Sequence, residues 1–413
     1  MNEIYPMLDV EEARRRILEH FAPLKPERIP ILEALDRVLA EDIMAEMDIP
    51  PLSNTAMDGY AVRIADTQNA SLEHPARLKV VADLAAGYVL ETAIVPGTAV
   101  RIMTGAPIPP GAEAVVPFEQ TERDGDDVLI FKPYRMWKNI RHAGEDVTKG
   151  QVVLARGKVL RPQEIGMLAA LGRPTVLVHR QPRVAVLSTG DEVIDVTEPW
   201  QPGKIRDANS YTVSALVLKY GGVPLRLGIA PDTIEALTSK IGEALDLNAD
   251  FILTSGGVSM GDFDVVKNVL ASEGEMHFWR ARMKPGKPMA FGEIQGTPLL
   301  GLPGNPVSST ISFELFARPA ILTMLGKTKL EKPTIDAILV DPVKRKDNRR
   351  HYLRVWLEEQ DGKIYAHLTG DQGSGILLSM VKADGLAIIP ESLDHTPPNF
   401  PVKVMLLDWP EVA

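Results

Sequence analysis

Short apolar runs alternate with amphipathic segments between residues 184 and 325, and this alternation restricts the fold more than any other feature of the chain. The runs 184–187, 251–253 and 298–302 predict buried strands. The helical patterns between and after them cover residues 210–219, 233–245, 264–272 and 308–325. Consecutive parallel strands need long crossover connections, which are usually helices. The pattern therefore predicts a doubly wound, mostly parallel sheet.

On either side of this region the chain shows other patterns of apolar and turn-forming residues. Residues 7–50 and 162–171 show helical spacing of apolar residues. Between 51 and 140, short apolar runs are separated by Gly and Pro, which predicts a small β domain. Residues 327–413 again alternate strand-like runs with turns, which predicts a C-terminal β domain. The expected fold class is thus α/β multidomain.

Composition excludes several classes of protein. A chain of 413 residues is long enough for two to four domains. It contains no apolar run approaching the ~20 residues of a membrane span, and no secretory signal pattern at its start, so we expect a cytoplasmic protein with no membrane partner. The net charge of −10 disfavours nucleic acid as a partner. The absence of cysteine excludes disulfides, thiolate zinc sites and cysteine nucleophiles.

The eight histidines show none of the spacings typical of metal sites. A metal built on histidines is therefore not expected, and any bound metal should have oxygen ligands.

Two glycine-rich loops follow predicted strands. Residues 255–261 (SGGVSMG) open a helix, where backbone N–H groups and the helix dipole can hold a phosphate. The same stretch matches G-x-S-x-G at 257–261, the nucleophile elbow of hydrolases, but no histidine stands in a context that would complete a triad. The second loop, GLPGNP at 301–306, repeats the arrangement. Ligands of open α/β sheets bind at such edges, which favours an anion-binding crevice.

Charged side chains accompany these loops. Four cationic residues lie close together in a chain that is acidic overall: Arg280, Arg282, Lys284 and Lys287. The first three alternate along the sequence, so they are expected to project from one face of a strand. Acidic residues flank the same loops and are candidate Mg²⁺ ligands. They are Asp191, Glu192, Asp207, Asp262 and Asp264. For Asp207 and Asp264 the alternative is a helix cap.

Six motifs, taken together, resemble the molybdopterin molybdenumtransferase family of MoeA type, which includes the gephyrin E domain. They are AMDGYA (56–61), RIMTGAP (101–107), STGDE (188–192), SGGVS (255–259), KPGKP (284–288) and GLPGNP (301–306). Pattern alone predicts only turns for the first two. The resemblance covers nearly the whole chain, with the motifs in the family's order.

The resemblance implies a domain plan and a reaction. It implies a discontinuous N-terminal domain (1–50 and 141–178), an inserted β domain (51–140), a MogA/MoaB-like α/β domain that binds molybdopterin (179–326) and a C-terminal β domain (327–413). It implies a homodimer that inserts molybdate into the dithiolene of adenylated molybdopterin and releases AMP, aided by Mg²⁺ or Zn²⁺. It also suggests a molybdopterin adenylyltransferase as a partner.

The resemblance also implies site residues. The catalytic set is Asp58, Thr104, Arg141, Asp146, Glu164, Asp207, Asp264 and Lys284, with Asp207 and Asp264 as metal ligands. The substrate-binding set is Ser188, Thr189, Gly190, Gly256, Gly257, Ser259, Arg280, Lys287, Pro303, Gly304, Asn305, Pro306 and Ser374. Arg280 stands where the family often has lysine, and arginine presents a planar fork instead of a point charge.

Two other classes of function remain. One is an adenylyltransferase acting one step earlier, although those enzymes typically have T-G-G-T-G where this chain has SGGVS at 255–259. The other is a non-catalytic pterin-binding scaffold, against which the intact aspartate and lysine positions argue.

Overall fold

A computed structural model of the chain describes residues 7–258, 265–345 and 347–408, without the side chains of residues 265, 273 and 279. The chain forms two compact units. The larger unit comprises Met1–Ala40, Gly157–Ile165 and Thr175–Ala413, and the smaller comprises Glu41–Arg156 and Gly166–Pro174. The domain boundaries expected from the resemblance are finer than this division and stay a prediction.

A six-stranded α/β sheet lies in the larger unit. Its strands, in spatial order, are Val223–Ala230, Arg183–Thr189, Phe251–Ser255, Thr297–Leu302, Pro288–Ile294 and Glu275–Arg280. The first four are parallel and the last two are antiparallel additions. The three strands predicted in this region are confirmed. The other three strands were missed, because their apolar residues are interrupted by Gly, Pro and charged residues.

Helices cover both faces of this sheet. They are Asn209–Lys219, Ile234–Asp246, Val265–Glu273, Pro306–Ser312 and Arg318–Met324. Val184 and Val186 pack in the core beneath one face, whereas Ala185 and Leu187 pack in the core beneath the other. Because adjacent side chains of a strand point to opposite faces, a strand buried on both sides is apolar throughout. The predicted doubly wound arrangement is confirmed.

The single helix predicted at 308–325 is interrupted. A π-helical turn, Phe313–Ala317, separates its two α-helical parts. Pro319 lies in the first turn after the interruption. Proline has no N–H to donate to the preceding turn, so it is tolerated at the start of a helix and disfavours one continuous α-helix.

The helical prediction for residues 7–50 is wrong beyond the first helix, Val10–Leu18. The next element is a strand, Pro26–Pro30, which pairs antiparallel with Thr175–His179. A 3₁₀ turn, Ile31–Ala34, follows the strand, within the stretch that was expected to be helical. The prolines at both ends of the strand disfavour a helix and are compatible with an edge strand.

The C-terminal part of the larger unit is a closed β structure, as its texture predicts. Its strands, in order around the ring, are Arg350–Gln360, Lys363–Leu368, Thr334–Leu339, Phe400–Leu406 and Gly385–Ile389. The ring closes because Arg350–Gln360 also pairs with Gly385–Ile389. Met283–Lys284 pairs in parallel with residues 350–351 of the same long strand. The remaining elements here are Val343–Lys344 paired with His395–Thr396, and the helix Leu377–Val381.

The smaller unit contains a second six-stranded sheet, which confirms the β texture of residues 51–140. The strands, in spatial order, are Ala114–Pro117, Gly59–Val62, Thr98–Ile102, Ala76–Leu84, Asp127–Ile130 and Thr121–Asp124. The smaller unit also contains two short antiparallel pairs: Asn54–Thr55 with Ile140–Arg141, and Ile43–Met44 with Val152–Leu154. The helix Pro162–Ala170, predicted at 162–171, spans the division between the two units.

Among the residues that the structure describes, no helix is both long and apolar enough to cross a membrane.

Candidate functional site

A cavity of about 1330 Å³ lies in the larger unit, at the carboxyl edge of the parallel strands. The loops after Arg183–Thr189, Phe251–Ser255 and Thr297–Leu302 form one side of it. Residues of the C-terminal β structure form the other side. This is the edge at which open α/β sheets bind ligands, as the glycine-rich loops predict.

The first glycine-rich loop approaches its neighbour too closely for any side chain. Gly256 has a φ of +97°, and a Cβ there would lie 2.7 Å from both the carbonyl oxygen and Oγ1 of Thr189. The Gly256 N–H instead donates to the Leu302 carbonyl at 3.1 Å. Glycine is therefore required to bring two loops of the cavity together.

The Asn209 side chain also connects these loops through hydrogen bonds. Its Nδ2 donates to Ser255 Oγ at 2.7 Å and to the Gly304 carbonyl at 2.6 Å. This residue was not among the predicted site residues. Its place just after the candidate Asp207 was the only signal in the sequence.

Asp207 is buried at the edge of the cavity and accepts several hydrogen bonds. Ser188 Oγ donates to its Oδ1 at 2.8 Å, and Ser210 donates through its N–H at 3.0 Å and its Oγ at 2.5 Å. The Ser210 N–H belongs to the first turn of helix Asn209–Lys219, whose N-cap residue is Ala208. Asp207, one residue before the N-cap, thus accepts one of the N–H groups at the start of the helix that have no partner within it, and it also lines the cavity.

Several cationic side chains line the side of the cavity opposite the glycine-rich loops. Lys284 and Lys287 were predicted, and the C-terminal β structure adds Lys344, Arg349 and Arg354. With Arg206, these outnumber the carboxylates of the lining. The carboxylates are Glu192, Asp207, Asp232 and Asp371. The cavity is therefore more cationic than the chain as a whole, which suits an anionic ligand.

Asp347 organises part of this cationic side. Its carboxylate accepts from Arg349 at 2.8 Å, lies 2.9 Å from His351 Nε2, and lies 3.7 Å from Lys284 Nζ. Burial acts to raise the pKa of Asp347, but the hydrogen bonds from Arg349 and His351 outweigh it and hold that pKa well below its usual range. The carboxylate therefore stays ionised and keeps the three cationic or polar groups beside it in place.

Most of the predicted substrate-binding residues line this cavity. They are Ser188, Thr189, Gly190, Gly256, Gly257, Lys287, Pro303, Gly304, Asn305, Pro306 and Ser374, with Asp207 and Lys284 of the catalytic set. Three residues named in the sequence analysis, Ser259, Asp262 and Asp264, lie outside the described residues.

Arg280 is not among the residues that line the cavity. It is the last residue of strand Glu275–Arg280, and its carbonyl accepts from the Leu8 N–H at 3.2 Å. Arg282 instead forms an ion pair with Asp9 at 3.2 Å. The expectation that Arg280, Arg282 and Lys284 project from one strand is wrong, because the strand ends at Arg280 and Lys284 belongs to a separate short strand.

Four predicted catalytic residues lie in the smaller unit. Asp58 accepts from both the N–H and the Oγ1 of Thr104, each at 2.7 Å. These two hydrogen bonds lower the pKa of the exposed Asp58 carboxyl. Arg141, in the strand Ile140–Arg141, and Asp146 are also exposed. The structure thus joins Asp58 directly to Thr104.

Glu164 forms a local ion pair. Its carboxylate accepts from the Arg161 N–H at 3.0 Å and from the Arg161 guanidinium at 3.0 and 2.7 Å. The Glu164 side chain is 7% exposed, and Lys158 lies 3.5 Å away. The hydrogen bond from Arg161, opposed by burial, lowers the pKa of Glu164 from 4.5 to about 2.

We expect the Glu164→Gln substitution to lower the free energy of unfolding by about 2 kcal/mol at pH 7, less than the full pKa shift implies because solvent screens the half-exposed Arg161. A carboxyl group whose pKa is lower in the folded state than in the unfolded state stabilises the folded protein at pH values above the unfolded pKa. This stabilisation is lost as the pH falls through the folded pKa. The difference between the two proteins should therefore shrink by more than half at pH 3. Urea denaturation at both pH values, followed by circular dichroism, measures it.

The control for this substitution is Glu235→Gln, which also removes a glutamate from the first turn of a helix. Glu235 is exposed and forms no ion pair with any described residue, so its replacement should change stability little at either pH. A Glu164→Gln difference that is the same at pH 7 and pH 3 would show that the Arg161 pair is not its cause.

The fold is that of an α/β protein with a glycine-lined cavity whose lining carries more cationic than acidic side chains. Family models match most of the chain: the MoeA N-terminal region (domain I and II) at 8–172, a probable molybdopterin binding domain at 185–323, and the MoeA C-terminal region (domain IV) at 336–407.

Relatives match over nearly their full length. Molybdopterin molybdenumtransferase of Haemophilus influenzae is 39% identical, over 93% of this chain and 94% of the relative. Molybdopterin molybdenumtransferase 2 of Mycobacterium tuberculosis is 37% identical, over 94% and 96%. Two crystal structures of the molybdopterin biosynthesis MoeA protein of Pyrococcus horikoshii are 33% identical, with TM-scores of 0.86 and 0.80, covering 98% and 97% of this chain and all of each structure. The chain belongs to the molybdopterin molybdenumtransferase family.

Proposed function

We propose that this chain inserts molybdate into the dithiolene of adenylated molybdopterin and releases AMP, a step of molybdenum cofactor biosynthesis. The observation that carries the proposal is the union, in one cavity, of glycine-rich loops at a sheet edge with a cluster of lysine and arginine side chains. The membership of the family supplies the reaction type.

The two sides of the cavity suit the two parts of this substrate. In the two glycine-rich loops, the backbone N–H groups of Gly257, Gly304 and Asn305 can donate to phosphate oxygens. Lys284, Lys287 and Arg349 can compensate the negative charge of molybdate and of the departing AMP. Preorganised cations stabilise charge that develops in a transition state more effectively than water does, since they need no reorganisation.

The carboxylates described at the cavity could hold a metal ion only together with ligands from the substrate and water. Among the described residues at the cavity, no group of three His, Asp or Glu side chains converges closely enough to hold a metal. Mg²⁺ is commonly held by one or two carboxylates, substrate phosphates and water. Asp207 fits that role, because two of its three hydrogen-bond donors are hydroxyls that can rotate away.

We therefore propose Mg²⁺ as the metal, held by Asp207 together with Asp264, and bound to substrate phosphate. Oxygen ligands favour Mg²⁺ over Zn²⁺, which prefers nitrogen and sulfur. When bound, the ion would polarise the phosphate link that releases AMP.

We further propose that the enzyme acts as a homodimer in the cytoplasm and receives its adenylated substrate from a molybdopterin adenylyltransferase. The substrate of the proposed reaction already carries AMP, so an enzyme that attaches AMP to molybdopterin must act first and supply it.

The test is to incubate the purified chain with adenylated molybdopterin and molybdate and to follow AMP by chromatography. We expect AMP release that depends on molybdate, together with formation of molybdenum cofactor. Removal of divalent metal with EDTA should slow AMP release at least about 10-fold, and Mg²⁺ should restore it, because the phosphate link then loses its Lewis acid.

Two outcomes would contradict the proposal. Failure to release AMP under any metal condition, by folded protein, would leave a non-catalytic pterin-binding role. Formation of adenylated molybdopterin from molybdopterin and ATP would identify an adenylyltransferase instead.

A further inference from the structure

A second cluster of ligand-type side chains lies outside the cavity. His20, His277 and Glu293 each offer one ligand atom, and these atoms all lie within 4.8 Å of one another. It is the one such group of three among the described residues. None of the three lines the cavity.

The fold brings these residues together from distant parts of the chain. His277 lies in strand Glu275–Arg280, at the edge of the α/β sheet, and Glu293 lies in the neighbouring antiparallel strand Pro288–Ile294. His20 follows the N-terminal helix Val10–Leu18 and is 273 positions from Glu293. Sequence spacing therefore gives no sign of the cluster, and this is why a histidine-built site was not expected.

The contacts within the cluster leave one imidazole nitrogen without a partner. His20 Nδ1 lies 2.7 Å from Glu293 Oε1, and the His20 and His277 ring centroids are 4.3 Å apart. His277 Nε2 is buried, and no hydrogen-bond partner for it is present among the described residues. A buried polar nitrogen without a partner is costly, so a ligand that accepts its lone pair would be favoured.

An aromatic ring holds the two imidazoles in place. Phe291 packs against both of them, at centroid distances of 5.2 Å from His20 and 5.7 Å from His277, and so fixes their positions.

We propose that His20, His277 and Glu293 form a Zn²⁺ site separate from the catalytic cavity. Two histidines and one glutamate are an established ligand set for zinc, with water in the fourth position. The ion would replace the proton shared by His20 and Glu293, whose ligand atoms would separate from 2.7 Å to roughly 3.3 Å around a tetrahedral metal. The His20 and Glu293 side chains are 23% and 25% exposed, which leaves a route for the ion and room for the water.

The consequence is a cross-link between the N-terminal segment and the edge of the sheet. Zinc bound here would join His20, two residues after the end of helix Val10–Leu18, to the last two strands of the sheet. Any ligand that binds only the folded state raises its stability, so zinc should raise the thermal midpoint.

The test uses the purified chain, stripped of metal with EDTA and free of substrate. Zn²⁺ is titrated by calorimetry, and Co²⁺ by its visible absorption, into wild type, His277→Ala and Glu293→Gln. We expect one site in wild type that is lost, or weakened at least about 10-fold, in both variants, since even a residue that only orients a metal ligand contributes that much to affinity. The chain has no cysteine to compete for the ion.

His367→Ala is the matched control. His367 Nε2 lies 3.2 Å from Glu358 and its ring stacks on Trp356, so it forms a His–Glu pair without a second imidazole. Its loss should leave zinc affinity unchanged. Circular dichroism of each variant in EDTA establishes that it is folded, and Glu293→Gln keeps the shape of the side chain.

The thermal midpoint provides the second readout. It should rise with Zn²⁺ in wild type and in His367→Ala, and stay constant in the two cluster variants. Wild type that binds no Zn²⁺, or cluster variants that bind it with wild-type affinity, would overturn the proposal.

Discussion

Replacing Lys284 by alanine should lower the rate of AMP release at least about 10-fold, because a charge-assisted contact to an oxyanion contributes roughly 1.5–3 kcal/mol. The same substitution should leave the thermal midpoint nearly unchanged. The Lys284 side chain is 52% exposed, and its ion pair with Asp347 is 3.7 Å long. Exposed ion pairs contribute little to stability, so the lysine is placed to serve a ligand.

Lys403→Ala is a matched control for this prediction. Lys403 is 65% exposed and forms an ion pair of 3.2 Å with Asp336, far along the chain from the cavity loops. It should lose neither activity nor stability. A Lys284→Ala protein that unfolds at a clearly lower temperature yet keeps its specific activity would assign the lysine to the structure instead.

The parallel part of the fold was predictable because its strands are buried on both faces. Val184 to Leu187 alternate between two cores, so every position is apolar and the strand stands out in the sequence. Strand Val223–Ala230 lies at the edge of the sheet and is half-buried, so its pattern is weaker. The helical spacing of apolar residues predicts helix throughout 7–50, but the prolines at 26 and 30 disfavour a helix there, and a strand forms instead.

The loop side of the site was predictable for a similar reason. At Gly256 the positive φ and the close approach of Thr189 allow only glycine, and a glycine-rich loop can be recognised in the sequence. Lys344, Arg349 and Arg354 gave no such signal, since they are cations in a region recognised only by its strand texture. Their place opposite the loops depends on how the C-terminal β structure packs, which is a long-range property.

A homodimeric enzyme whose site is shared between subunits makes a prediction that a monomeric site does not. Asp58 and Thr104 form their hydrogen-bonded pair in the smaller unit, whereas Asp207 and Lys284 line the cavity of the larger unit. All four belong to the catalytic set implied by the family. We propose that Asp58 of one subunit serves the same substrate as Lys284 of the other.

Asp58→Ala and Lys284→Ala proteins, each nearly inactive alone, should therefore regain about a quarter of wild-type AMP release when their subunits are mixed in equal amounts and allowed to exchange in a twofold dimer. Half of the dimers are then mixed, and each mixed dimer has one site with both residues intact and one with neither. Exchange is verified by mass spectrometry of differently tagged chains. If verified mixed dimers stay inactive, the two residues serve one site within a single chain, because every such site would carry one of the two substitutions.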